Sequence, residues 1–141
     1  MTKSITVMVV LAICLAIEAP NLQAQACQEE EGSVAAVTQD LSGMIGEIQK
    51  ESLTEFQKHF HQQSFASRLS IGLQTAGELV GCLDKASHDP AATKAQLDAI
   101  KAKQATYQKL QAALQAGSQS LKSAKSARTA KAAIEKFAFA R

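Results

Sequence analysis

The stretch FASRLSIGLQTAGELVGCLDK, residues 65–85, has the clearest pattern in the chain. Its apolar side chains recur every three or four residues, at Phe65, Leu69, Leu73, Ala76, Val80 and Leu83. This spacing places them on one face of an α-helix, because a helix completes a turn in about 3.6 residues. Gly77 and Gly81 lie four residues apart within the same stretch. We therefore predict an amphipathic helix whose glycines allow a neighbouring helix to come close.

The same periodicity continues on both sides of this stretch. The upstream apolar face contains Val34, Val37, Leu41, Ile45, Ile48, Leu53, Phe56 and Phe60. The downstream face contains Leu97, Ile100, Tyr107, Leu110 and Leu114. Proline and asparagine, which mark turns, are almost absent after residue 26. The sequence predicts an all-α protein, an antiparallel up-and-down bundle of three to four helices near residues 33–59, 64–86, 90–116 and 118–138.

Polar residues and glycine suggest where these helices begin and end. Ser33 and Ser64 are suitable N-caps for the first two helices. Asp89 is a natural N-cap for the third, and Pro90 suits the first helical position. Gly117 is positioned to end the third helix in a left-handed cap.

The N-terminal segment has the proportions of a signal peptide. A single basic residue, Lys3, precedes an uncharged run over residues 5–17, which at 13 residues is too short to span a bilayer. Ala24 and Ala26 form an A-x-A cleavage pattern, and a cut after either residue is acceptable. We expect residues 1–26 to be removed and residues 27–141 to form one secreted domain, or a periplasmic one if the source is bacterial.

Cysteine usage supports an oxidising compartment. Cys14 lies in the expected signal peptide, so the mature chain keeps only Cys27 and Cys82. The simplest expectation is one disulfide between them, with an intermolecular bond or two free thiols as alternatives. Lipidation of Cys27 is a further alternative, although Gln25 fits the lipoprotein motif badly.

Charge divides the mature chain into two halves. The acidic half, residues 27–89, has ten acidic and four basic residues, whereas the basic half, residues 90–141, has two acidic and ten basic residues. One interpretation is that the two halves dock on each other, and the other is that each half faces an external partner. The repeat KSAKSARTAKAA supplies the candidate basic interaction surface, which consists of Lys122, Lys125, Arg128 and Lys131.

Few residues suit catalysis or metal binding. His59 and His61 would point about 200° apart on a helix, so the pair could bind one ion only if it lay in a loop. His88 lies far away in sequence, and we predict neither a metal site nor a cofactor. No nucleophile motif or phosphate-binding loop is present, so we predict that the protein is not an enzyme. The basic half has too few aromatic residues for base stacking, which argues against nucleic acid as a partner.

Export, charge separation and the lack of catalytic motifs together predict a function in binding. The first hypothesis is an interaction module for a protein partner or an anionic extracellular surface. The alternatives are a lipid or hydrophobic-ligand carrier with separable amphipathic helices, and a periplasmic helical binding protein. A disulfide from Cys27 to Cys82 would hold the first helical hairpin closed and oppose the carrier hypothesis.

Overall fold

The computed structural model of the chain describes residues 27–59 and 61–137. Over these residues the protein is all-α and has no strand, as the sequence predicts. The five helices are α1, Gln28–Lys50; α2, Leu53–Lys58; α3, His61–Ser87; α4, Lys94–Ser123; and α5, Ala127–Glu135. The expected signal peptide, residues 1–26, lies outside the described residues, as do Phe60 and the segment 138–141.

The helix α3 lies at the centre of the fold and packs against both α1 and α4. Arg68 and Cys82 of α3 contact Asp40 and Cys27, so α1 runs antiparallel to α3. The later helix α4 is also antiparallel to α3. Its early residue Gln104 donates to Asp84 at 3.4 Å, and its late residue Leu121 lines a groove together with Gln62. The short helices α2 and α5 pack at the end where α3 begins.

The buried face of α3 is slightly rotated from the predicted one. Its buried residues are Phe65, Leu69, Gly72, Ala76, Leu79 and Leu83. Leu73 and Val80 are only half-buried. The rotation arises because α3 is covered on two sides, by α1 and by α4, and not by a single neighbour.

Among the three glycines of α3, Gly72, and not the predicted pair, lies in the tightest contact with the neighbouring helices. A Cβ atom at Gly72 would lie 3.2 Å from Cγ1 of Val37 and 3.5 Å from Cδ1 of Leu114. By contrast, a Cβ at Gly81 would meet nothing within 4 Å, and one at Gly77 would meet only a side-chain nitrogen of Gln111 at 3.5 Å. The prediction was therefore wrong for Gly81, which is exposed, whereas the half-buried Gly77 lies beside Gln111 of α4 without the tight contact found at Gly72.

The first helix begins and ends earlier than the sequence predicts. Ser33 is not an N-cap, because α1 already begins at Gln28 and the Ser33 hydroxyl donates to the Glu29 carbonyl. The helix stops at Lys50, and Ser52 then caps α2 in a reciprocal arrangement with Glu55. The Ser52–Glu55 capping box divides the predicted first helix into two.

The predicted caps of the two later long helices were also wrong. Ser64 lies inside α3, which begins at His61. The cap of α4 is Thr93, whose hydroxyl accepts from the backbone N–H of Gln96 while the Gln96 side chain accepts from the backbone N–H of Thr93. Asp89 instead accepts from the N–H of Ala91 in the preceding turn. A capping box satisfies two backbone donors, one more than a single Asp cap.

Gly117 does not end a helix but lies within α4, which continues to Ser123. The ring of Phe137 covers this glycine, and an added Cβ would overlap the ring's Cε2 atom. The same ring contacts Phe65 edge-to-face, with the ring centroids 5.9 Å apart. Phe137 thus closes the α3–α4 pair at the end opposite the disulfide.

Cys27 and Cys82 form the predicted disulfide, with Cα atoms 5.9 Å apart and a sequence separation of 55 residues. Their bond ties the start of α1 to the last turns of α3. In the chain-entropy model, closing a loop of this length contributes about 4 kcal/mol to the free energy of unfolding.

Candidate interaction surface and histidine cluster

The basic residues predicted to form a surface lie around the turn between α4 and α5. The helix α4 ends at Ser123, and Ser126 caps α5 by accepting from the backbone N–H of Thr129. Lys122, Lys125 and Arg128 are exposed around this turn, and none of them is within 4 Å of a carboxylate of the described residues. We call these three residues the basic corner.

The fourth predicted member, Lys131, differs from the other three. Its side chain is largely buried and forms an ion pair with Glu135 one turn later in α5. This i,i+4 spacing places both side chains on one face of the helix. Lys131 therefore has its charge compensated internally and is not part of the basic corner.

The acidic and basic halves dock mainly through apolar contacts. Within 27–59 and 61–137, the single ion pair between the halves joins Lys103 to Glu31 at 2.9 Å. The other pairs join residues of the same half, such as Arg68 with Asp40 at 3.4 Å. Leu114, which is 1% exposed, contributes instead to the apolar core that the two halves share. Most of the charge separation therefore remains exposed to water.

On the surface of the described residues, two grooves lie near the basic corner. The groove between α4 and α5 has a volume of about 610 Å³. It is lined mainly by small residues, with an aromatic ring and a lysine at one end: Ala113, Ala116, Gly117, Ser120, Thr129, Ala132, Ala133, Lys136 and Phe137. The groove between α3 and α4 is smaller, about 420 Å³, and Lys122 is among its lining residues. The basic corner thus adjoins concave surface.

A second polar feature, Glu51 with His59 and His61, lies where the chain turns from α1 through α2 into α3. Glu51 follows α1 in an extended conformation, and its N–H donates to the Ile48 carbonyl at 3.3 Å. His59 ends α2, and His61 is the first residue of α3. Glu51 lies just before α2 and the two histidines lie just after it. Because α2 has only six residues, the three side chains are close together. We call the three residues the histidine cluster.

Both imidazoles of the histidine cluster contact the one carboxylate. His59 Nδ1 lies 3.2 Å from Oε1 of Glu51, and His61 Nε2 lies 2.8 Å from Oε2. The contact with His61 is the main cause of a lowered pKa at the Glu51 carboxyl; burial opposes this effect, and His59 adds to it. The Phe56 ring stacks on His61 with centroids 5.9 Å apart and so holds the imidazole in place.

The sequence pattern alone did not reveal this cluster. On one continuous helix His59 and His61 would diverge, but His59 is the C-cap of α2 and His61 is the first residue of α3, so the two do not share a helix. Glu51 had no sequence signal, because it lies eight residues before His59. His88 lies elsewhere, where its ring contacts Ser87 and the Asp84 carbonyl.

Comparison of the chain with protein-family models, curated proteins and solved structures gives no match. Among the helices within 27–59 and 61–137, none combines the length and apolar character required to cross a bilayer.

Proposed function

We propose that the protein is a secreted, non-enzymatic interaction module that binds an anionic partner through its basic corner. The observation that carries the proposal is the exposure of Lys122, Lys125 and Arg128 without an internal counterion in the described part of the chain. Exposed cations of this kind attract anionic partners and speed their association. The partner class is an acidic protein face or an anionic extracellular surface.

The disulfide supports the extracellular part of the proposal. Disulfides persist in oxidising compartments and are rare in reducing ones. The pairing of Cys27 with Cys82 therefore agrees with export, which the N-terminal sequence also predicts. The same bond favours a rigid module over a carrier whose helices separate, because it links α1 to α3 covalently.

The test measures binding of the purified protein to immobilised heparin, to an acidic protein and to vesicles with anionic or neutral lipids. The test variant is K122Q/K125Q/R128Q. Its matched control, K94Q/K101Q/K109Q, removes three exposed charges elsewhere on α4. We expect the test variant to bind about tenfold more weakly, because three exposed contacts at roughly 0.5 kcal/mol each sum to about 1.5 kcal/mol.

Salt and helicity complete the test. Binding should weaken as ionic strength rises, since exposed charges are screened. If the two triple variants lost equal binding affinity, the proposal that binding is localised at the basic corner would be contradicted. Binding to neutral vesicles with a change in helicity would instead support the carrier alternative, as amphipathic helices rearrange when their apolar faces enter lipid.

A further inference from the structure

We propose that Glu51, His59 and His61 form a binding site for a Zn²⁺ ion. The proposal is independent of the basic corner. It rests on the convergence of three ligand atoms of kinds that Zn²⁺ accepts: two imidazole nitrogens and a carboxylate oxygen.

The distances fit one ion. One ligand atom from each residue lies within 4.8 Å of the other two. Ligand atoms bound at about 2.0–2.1 Å to a tetrahedral ion lie roughly 3.3 Å apart. His59 Nδ1 lies 3.2 Å from one oxygen of the Glu51 carboxylate and His61 Nε2 lies 2.8 Å from the other oxygen, so each imidazole is already within that separation of the carboxylate. Small side-chain rotations therefore suffice to place all three ligands around an ion.

Two atoms of the histidine cluster have unsatisfied hydrogen-bonding capacity. Nε2 of His61 and Oε2 of Glu51 are shielded from solvent, and neither has an aligned hydrogen bond with any described residue. They lie 2.8 Å apart without the alignment of a donor and an acceptor. Buried polar atoms normally have a partner, and a metal ion between these atoms would supply one to both.

The surrounding helices make the site partly preformed. The capping box of Ser52 and Glu55 fixes the start of α2, and Phe56, which is 2% exposed, anchors that helix in the core. Stacking on Phe56 also orients His61. Only His59, whose side chain is 58% exposed, has to be ordered by the ion. Three protein ligands leave a fourth position for water, as in open zinc sites.

The experiment is calorimetric titration of the purified, untagged protein with Zn²⁺, together with absorption spectra of the Co²⁺ form. The test variants are H59A and E51Q, and H88A is the matched control because His88 lies outside the cluster. We expect one ion per chain in the wild type and in H88A. In each test variant the affinity should fall more than about tenfold, because even residues that only orient metal ligands cost 10–100-fold.

Thermal unfolding supplies a second measurement on the same proteins. Zn²⁺ should raise the melting temperature of the wild type and of H88A, because an ion that binds only the folded protein stabilises it. H59A and E51Q each lack one of the ligands, so Zn²⁺ should not raise their melting temperatures. Because His59 is exposed, H59A should fold normally, which circular dichroism verifies. Absence of binding in the wild type, or equal binding in H59A and H88A, would overturn the proposal.

Discussion

The two antiparallel pairs of this fold are closed by different means. The α1–α3 pair is acidic and is closed by the Cys27–Cys82 disulfide. The α3–α4 pair has no covalent link and is closed by Phe137, which covers Gly117 and contacts Phe65. Phe65 and Cys82 lie about 25 Å apart along α3, given a rise of about 1.5 Å per residue. The comparison teaches that α3 is secured at both ends, once covalently and once by side-chain packing.

Removing the disulfide should have the largest effect. The variant C27S/C82S is expected to lose about 4 kcal/mol of unfolding free energy, because its unfolded chain regains the entropy of a long open loop. Urea denaturation measures this loss, and reduction of the wild type serves as the control. Amide exchange should increase more in α1 than in α4. An equal increase in amide exchange in α1 and α4 would show that the disulfide does not secure the α1–α3 pair more than the α3–α4 pair.

Removing the Phe137 ring tests the other closure. We expect F137A to lose about 1–2 kcal/mol, less than a fully buried phenylalanine would, since Phe137 is only half-buried. In the F137A background, G117A should raise stability by up to about 1 kcal/mol through helix propensity. In the wild type the same substitution should not stabilise the protein, because its Cβ would overlap the Phe137 ring. If the effects of F137A and G117A on the unfolding free energy were additive, the contact between Phe137 and Gly117 would be contradicted.

Removing the ion pair between the halves should have the smallest effect. The pair Lys103–Glu31 is partly exposed, at 48% and 25%. We expect K103A to change the unfolding free energy by about 0.5 kcal/mol or less, as for other surface pairs. The control is K101A, a nearby exposed lysine of α4. A loss above about 1.5 kcal/mol from K103A alone would indicate that charge, and not apolar packing, joins the halves.

The helix boundaries illustrate how far sequence patterns could be read. Apolar periodicity correctly indicated helices and most of the buried positions, because burial on one face forces that spacing. The caps were less predictable, since Ser33, Asp89 and Thr93 all have suitable side chains and only the packed chain selects among them. Gly117 looked like a helix end, but the ring that covers it comes from 20 residues further on, at Phe137.

The histidine cluster was hidden for a related reason. A sequence pattern relates residues along one helix, whereas Glu51, His59 and His61 come together only because α1 stops at Lys50 and α2 is very short. The basic corner was partly predictable. Its three exposed cations follow from the repeat, but the pairing of Lys131 with Glu135 removed the fourth.

The sequence by itself determined the all-α class, the cysteine pair and the charge separation. Periodicity and composition can be read directly from the sequence, and the two cysteines of residues 27–141 can form one intramolecular pair. Only the tertiary structure decided that Gly72 lies in tight contact with both α1 and α4, that Phe137 covers Gly117, and that the two histidines converge on Glu51. Each of these contacts depends on where separate helices stop and how they pack, which the spacing within any one segment does not specify.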